Sequence, residues 1–164
     1  MRFLHFRVAI LWQIGLAAYF QLISWIPLGR FNYQPCCHTG LEQIRLRTLT
    51  FADVLGLSAF LLPVLVFSAG VRLQLRWVMW LALAPYAVWL GLQLWTWWPP
   101  YLFGASQDWS QVYARAFAES IQILPQWGNH LPPDAVHLLL QVLLLGVLLS
   151  GVSGLVRRQP VQAG

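Results

Sequence analysis

Four long apolar blocks dominate the pattern, at 8–26, 51–71, 77–98 and 135–156, and none contains Lys or Arg. A helix needs about 20 predominantly apolar residues to cross a hydrocarbon core about 30 Å thick. Each block meets that length, and backbone groups in hydrocarbon must bond within their own segment, so each block is predicted to be a helix. The pattern therefore predicts an all-α fold, a single transmembrane domain over 1–164 built as an integral membrane bundle of four transmembrane helices. Outer loops at about 27–50 and 99–133 and a tail at 157–164 complete it. The first block follows a basic stretch, Met1–Arg7, but it is too long for the apolar region of a signal peptide and no small-residue cleavage site follows it, so it reads as a retained helix.

Local signals agree with these blocks. Thr50 is placed to cap the second helix, with Asp53 three residues on. Pro132 and Pro133 stand where the fourth helix opens, and Asp134 puts negative charge at its positive end. Pro63 and Pro85 fall inside the second and third blocks, where each removes a backbone hydrogen bond and favours a kink. Gly146, Ser150 and Gly154 recur every four residues, a stripe that lets another helix approach closely, within the chain, in a membrane-protein partner or in a second copy.

The second outer loop is long for a structureless connection. Within it Trp109, Val112, Tyr113, Ala116, Phe117, Ile121 and Leu124 recur at three- and four-residue spacing, which predicts an additional amphipathic helix. Ser106 or Gln107 opens it and Leu124-Pro125 closes it. Such a helix either lies in the interface plane or caps the bundle.

Composition narrows the class. The chain is 59% hydrophobic and 9% charged, far from the one-quarter charged residues of an ordinary soluble domain. All ten basic residues are Arg, scattered between apolar blocks instead of forming a stripe, so a lipid bilayer and not nucleic acid is the expected partner. Trp95, Trp97, Trp98 and Tyr101 cluster at one boundary and Trp77 and Trp80 at another, as interfacial aromatic belts do. Arg2, Arg7, Arg72, Arg76, Arg157 and Arg158 fall on one side of a four-pass chain. Arg30, Arg45, Arg47 and Arg115 fall on the other. The six lie close to helix ends, which places the N and C termini in the cytoplasm, with a bacterial inner (plasma) membrane as the expected location.

Candidate chemistry is confined to the outer side. Cys36-Cys37-His38 offers thiolate and imidazole ligands suited to zinc or copper. His130, Asp134 and His137 stand at the start of the fourth helix, with Asp134 and His137 one turn apart on one face. If the loops meet, the metal candidates are Cys36, Cys37, His38, His130, Asp134 and His137. Against that, His130 and Asp134 serve equally well as a helix cap. The adjacent Cys pair also admits thiol redox chemistry, but the chain lacks a C-x-x-C or second pair to relay electrons. The spans hold no Lys or Arg, and of the acids only Asp53, at the start of one. Their polar insertions, Gln13, Gln21, Gln93 and Gln141, read as interhelical glue instead of a transport path. No G-x-S-x-G, phosphate loop or useful carboxylate pair is present. The reading is a non-enzymatic accessory, assembly or ligand-binding subunit acting at the outer face, with a metal-binding or thiol-redox protein as the alternative.

Overall fold

Periodic apolar sequence becomes helix throughout the computed structural model, which describes residues 2–26, 28–32 and 51–156. Five α-helices and no strand occur among the described residues: α1 (Arg2–Trp25), α2 (Phe51–Leu73), α3 (Arg76–Phe103), α4 (Gln107–Ala116) and α5 (Ala135–Val156). A 3-10 turn, Gly29–Asn32, follows α1. All but α4 are long and apolar enough to cross a membrane. Thr50, proposed as a cap, lies outside the described residues.

The long helices pack in a ring, each against two neighbours: α1 on α2 and α5, α3 on α2 and α5. Directions alternate. Tyr19, late in α1, bonds the carbonyl of Val136, early in α5, while Phe6 packs near Gly154 at the opposite end. The start of α1, the α2–α3 turn and the end of α5 therefore share one end, where Phe6 also meets Phe67 at 6.2 Å. The α3–α5 connection covers the other end, called the capped end below.

The core is built from side chains such as Leu16, Phe67, Leu83 and Leu144, none more than 2% exposed. Lipid tails are as apolar as Leu, so in a bilayer such contacts hold helices together by close packing and by interhelical hydrogen bonds. Both are present. Gly146 meets the Trp12 ring, Gly154 meets Phe6, and Gly151 meets Leu83. Two faces of α5 thus receive α1 and α3, and the small-residue stripe is filled from within the chain. The Ser150 hydroxyl turns back to the Gly146 carbonyl at 2.6 Å. Tyr86 donates to Gln13 at 3.4 Å, and Trp98 Nε1 donates to Gln141 at 2.9 Å, so two of the four glutamines bond across helices.

Three boundaries differ from the sequence pattern by more than two residues. Helix α1 begins at Arg2, taking the basic stretch into its first turns. Helix α3 does not stop at Trp98 but runs through Pro99 and Pro100 to Phe103. The two prolines leave the carbonyls of Trp95 and Thr96 without their helical donors. Burial of Trp97 and Tyr101, one turn apart on one face, holds the helix through them. It ends at Gly104, whose φ of +93° suits a residue without Cβ. Helix α4 stops at Ala116 instead of near Leu124. After Phe117 the chain turns so that Ile121 takes backbone bonds from both sides, which no continuing helix permits: its N–H reaches Arg30 and its carbonyl accepts from Ala135.

The turn between α2 and α3 carries a first testable feature. Leu75 N–H bonds the Gly70 carbonyl and Gln74 N–H bonds the Val71 carbonyl, the paired closure that ends a helix with one left-handed residue. That residue is Gln74, at φ +56°. A non-glycine residue there costs about 1 kcal/mol or more. Gln74 is exposed, so Gln74→Gly is expected to stabilise the protein by about 1 kcal/mol, read as a rise in its detergent unfolding midpoint.

Candidate functional site at the capped end

Asp134 organises the start of α5. Its Oδ1 accepts from the backbone N–H of His137 at 2.8 Å, which caps the helix. The same oxygen lies 2.7 Å from Nδ1 of the His137 ring. A carboxylate oxygen accepts, so Nδ1 carries the hydrogen, and Nε2 is the acceptor nitrogen of the neutral ring. The pair is unequally covered, with the Asp134 side chain 5% exposed and that of His137 23%.

Aromatic rings close over this pair. Trp97 lies 4.4 Å from the His137 ring, and Phe117 meets it edge-on at 5.5 Å. Trp97 in turn packs against Trp109, Tyr113 and Phe117 at centroid distances of 5.6, 6.4 and 5.0 Å. Together with buried Leu131 these rings form a second hydrophobic cluster, separate from the core between the long helices. Trp109, Tyr113 and Phe117 recur every fourth residue, so one face of α4 and its exit supplies all three. The amphipathic helix thus caps α3 and α5. Its start is fixed by Ser106, whose hydroxyl accepts from the Trp109 N–H at 3.2 Å.

The remaining connection is tied down by backbone bonds. Ala105 N–H reaches the Asn129 carbonyl, and His130 N–H closes a turn on Trp127. Gly128, at φ +58°, allows that turn. Arg30, just beyond α1, accepts from Ile121 N–H and donates through Nε to the Glu119 carbonyl at 3.1 Å. Beside α4 lies an open cavity of about 400 Å³. Ser110, Tyr113 and Ala114 line one side and Gln126, Asn129 and Leu131 the other, and among the described residues none that lines it is charged.

Among the described residues, two donors in the second cluster are buried with no hydrogen-bond partner: the Tyr113 hydroxyl and Trp109 Nε1. Tyr113 is 3% exposed. Burial, and secondly the negative charge of Asp134, push its phenol up to about 12, so it remains a donor across the physiological range.

Of the sequence-derived metal candidates, Asp134 and His137 are brought together. His130 is not: its Nδ1 faces the Tyr101 carbonyl at 2.8 Å, and its ring packs beside Trp127. Cys36, Cys37 and His38 lie outside the described residues. Among the described residues no group of three or more His, Cys, Asp or Glu is placed to share a metal ion. Sequence reasoning passed over Trp97, Tyr113 and Trp109 as site residues. The four-residue recurrence in α4 and the Trp97/Tyr101 spacing were the available signals. Comparison with protein-family models, with curated proteins and with solved structures returns no match to this chain.

Proposed function

We propose that the chain is an integral membrane bundle of four spans, and that it serves as a non-enzymatic accessory, assembly or ligand-binding subunit acting through its capped end. In this reading the capped end is the outer face of a bacterial inner membrane and both termini are cytoplasmic. Arg7, Arg72 and Arg76 belong to the end opposite the cap, in keeping with the bias of basic residues toward the cytoplasm. At 28 residues α3 is about 42 Å long, about 12 Å more than a hydrocarbon core. Its excess, carrying Trp97 to Phe103, then stands at headgroup level beneath α4.

The observation that carries the functional reading is the second aromatic cluster over the Asp134–His137 pair. A connection that only joins two spans needs few residues and no core of its own. A connection with an aromatic core of its own, tied down by backbone bonds, supports the reading of this end as a recognition surface.

One observation favours a second reading. A histidine that ligates a metal usually donates its other ring N–H to a carboxylate, as His137 does to Asp134. With thiolates from Cys36 and Cys37, such a ligand would suit zinc or copper.

Native mass spectrometry of the full chain released directly from membranes separates these readings. A bound small molecule or partner polypeptide, lost in a His137→Ala variant, is the expected result. A zinc- or copper-sized increment lost in both Cys36→Ser/Cys37→Ser and His137→Ala would move the metal reading to the front. Bare chain in every sample would sink both.

A further inference from the structure

The end of the bundle opposite the cap carries charge of one sign. Arg7 of α1, Arg72 in the last turn of α2 and Arg76 at the start of α3 are all exposed there. Arg2 opens α1, and Arg157 and Arg158 follow Val156 in the sequence. No Asp or Glu occurs in 1–41, 54–107 or 135–164, the stretches that contain this end. Asp53 and Asp134 stand at helix starts on the capped side, and Asp108 and Glu119 belong to the α3–α5 connection. Glu42 falls in the sequence between the end of α1 and the start of α2, both on the capped side. Helix dipoles do not alter the balance. At this end α1 and α3 present N-termini and α2 and α5 present C-termini, so their partial charges cancel and the arginines set the potential.

What surrounds the cations selects among anionic partners. The α2–α3 turn reads Arg72-Leu73-Gln74-Leu75-Arg76-Trp77, and its apolar side chains are as uncovered as its charges: Leu73 is 67% exposed and Trp77 63%. Trp80, one turn beyond Arg76, is half-exposed. Only Gln74 and Leu75 separate the two helices, so both guanidinium groups stay within a turn of the apolar spans. An acidic protein in water would meet the arginines and leave Leu73 and the indoles wet. A layer of anionic headgroups meets both, with phosphate at the guanidinium groups and acyl chain at the Leu and Trp side chains.

We infer that the end opposite the cap binds anionic phospholipid headgroups, with Arg72 and Arg76 of the α2–α3 turn at the centre of the contact. This rests on the reading of the chain as a membrane-spanning bundle, and not on which way the bundle faces.

The test places the full chain in nanodiscs of phosphatidylcholine and phosphatidylglycerol in equal parts and releases it into native mass spectrometry, where retained lipids are counted by class. Discs present both leaflets, so orientation does not enter. The wild type should retain phosphatidylglycerol in preference. Arg72→Gln and Arg76→Gln should each lower that preference about fivefold, the effect of one arginine beside an anionic surface. Arg72→Lys/Arg76→Lys keeps the charge and should keep the preference. Arg115→Gln removes the same charge from the capped end, well beyond a screening length, and should change the preference by less than about twofold. Because these side chains are exposed, all variants should match the unfolding midpoint of the wild type in pure phosphatidylcholine discs. A wild type without preference, a preference that survives Arg72→Gln/Arg76→Gln, or an equal loss in Arg115→Gln overturns the inference. So does a polyglutamate peptide that binds the wild type in phosphatidylcholine discs while phosphatidylglycerol is not preferred, a result that would assign the surface to an acidic protein. Incorporation into discs without lipid preference removes this inference alone, whereas a chain that never enters discs removes the membrane-spanning reading with it.

Discussion

Gly146→Ala is expected to destabilise the protein by about 1–3 kcal/mol, the cost of forcing an extra methyl group into a packed interface. A Cβ at position 146 would stand 2.7 Å from two carbons of the Trp12 ring and 2.9 Å from a third. A rigid indole cannot yield as a chain tip can, so α1 itself must move. Gly151 offers a milder contrast: its Cβ would stand 2.8 and 2.9 Å from the two terminal methyls of Leu83, the tip of a flexible side chain. Gly91 offers the opposite one, with nothing within 4 Å of its Cβ, so Gly91→Ala only gains helix propensity, up to about 1 kcal/mol. The expected order of unfolding midpoints is therefore Gly146→Ala lowest, Gly151→Ala next, then wild type, with Gly91→Ala equal or higher. Shortening the indole in a Trp12→Leu/Gly146→Ala double variant should recover part of the loss, with a coupling of about 0.5–3 kcal/mol. If Gly146→Ala instead behaved like Gly91→Ala, α1 would not lie on this face, and the stripe would be free for a partner or a second copy.

The four long helices were legible in the sequence because a helix suited to cross a bilayer must be apolar along nearly its whole length, and long apolar runs report that directly. Residues 135–156 were bounded correctly at both ends, since Pro132, Pro133 and Asp134 mark the start by their own chemistry. The errors came where a local rule met a tertiary contact. Pro99 and Pro100 signal a helix end by backbone geometry, yet burial of Trp97 and Tyr101 outweighs that signal. The apolar recurrence through Ile121 and Leu124 signals a longer α4, yet backbone bonds to Arg30 and Ala135 claim that stretch. Neither partner is near in sequence, so no local window contains the information.

The site was legible only in part for the same reason. The Asp134–His137 pair needs nothing beyond a three-residue spacing at a helix start, and it appears as expected. His130, a few residues earlier, shares the composition signal but not the geometry, because the turn at Gly128 directs its ring to the Tyr101 carbonyl. The covering rings come from α3, from α4 and from its exit. Trp97 lies inside the expected third block, where its spacing fits an interfacial belt, and only the return of α4 over it brings Trp109, Tyr113 and Phe117 onto its ring.

Asp134→Ala should be the more damaging change at the capped end, lowering stability by about 2–5 kcal/mol. The estimate combines loss of a helix cap, about 0.5–2 kcal/mol, with loss of a hydrogen bond to a charged group, about 1.5–3 kcal/mol. Both fall on the same residue, since one oxygen serves the backbone N–H and the ring of His137. With the side chain 5% exposed, water does not readily take over either role. Asp134→Asn separates geometry from charge. Its amide oxygen can accept both bonds, so its stability should stay within about 1 kcal/mol of the wild type, as a good capping residue allows. Nitrogen chemical shifts of His137 supply a readout that a merely structural loss would not imitate. The hydrogen should remain on Nδ1 in the wild type and in Asp134→Asn, and should distribute over both nitrogens in Asp134→Ala. Tyr113 gives a second one. Removing the negative charge should lower its titration from about 12 while leaving it above the ordinary value of 10.0, because burial is the larger cause of its rise. An Asp134→Ala protein as stable as the wild type, with its His137 tautomer unchanged, would show that another group anchors this end of α5. The paired Asp134 and His137 would then lose their claim to organise the site.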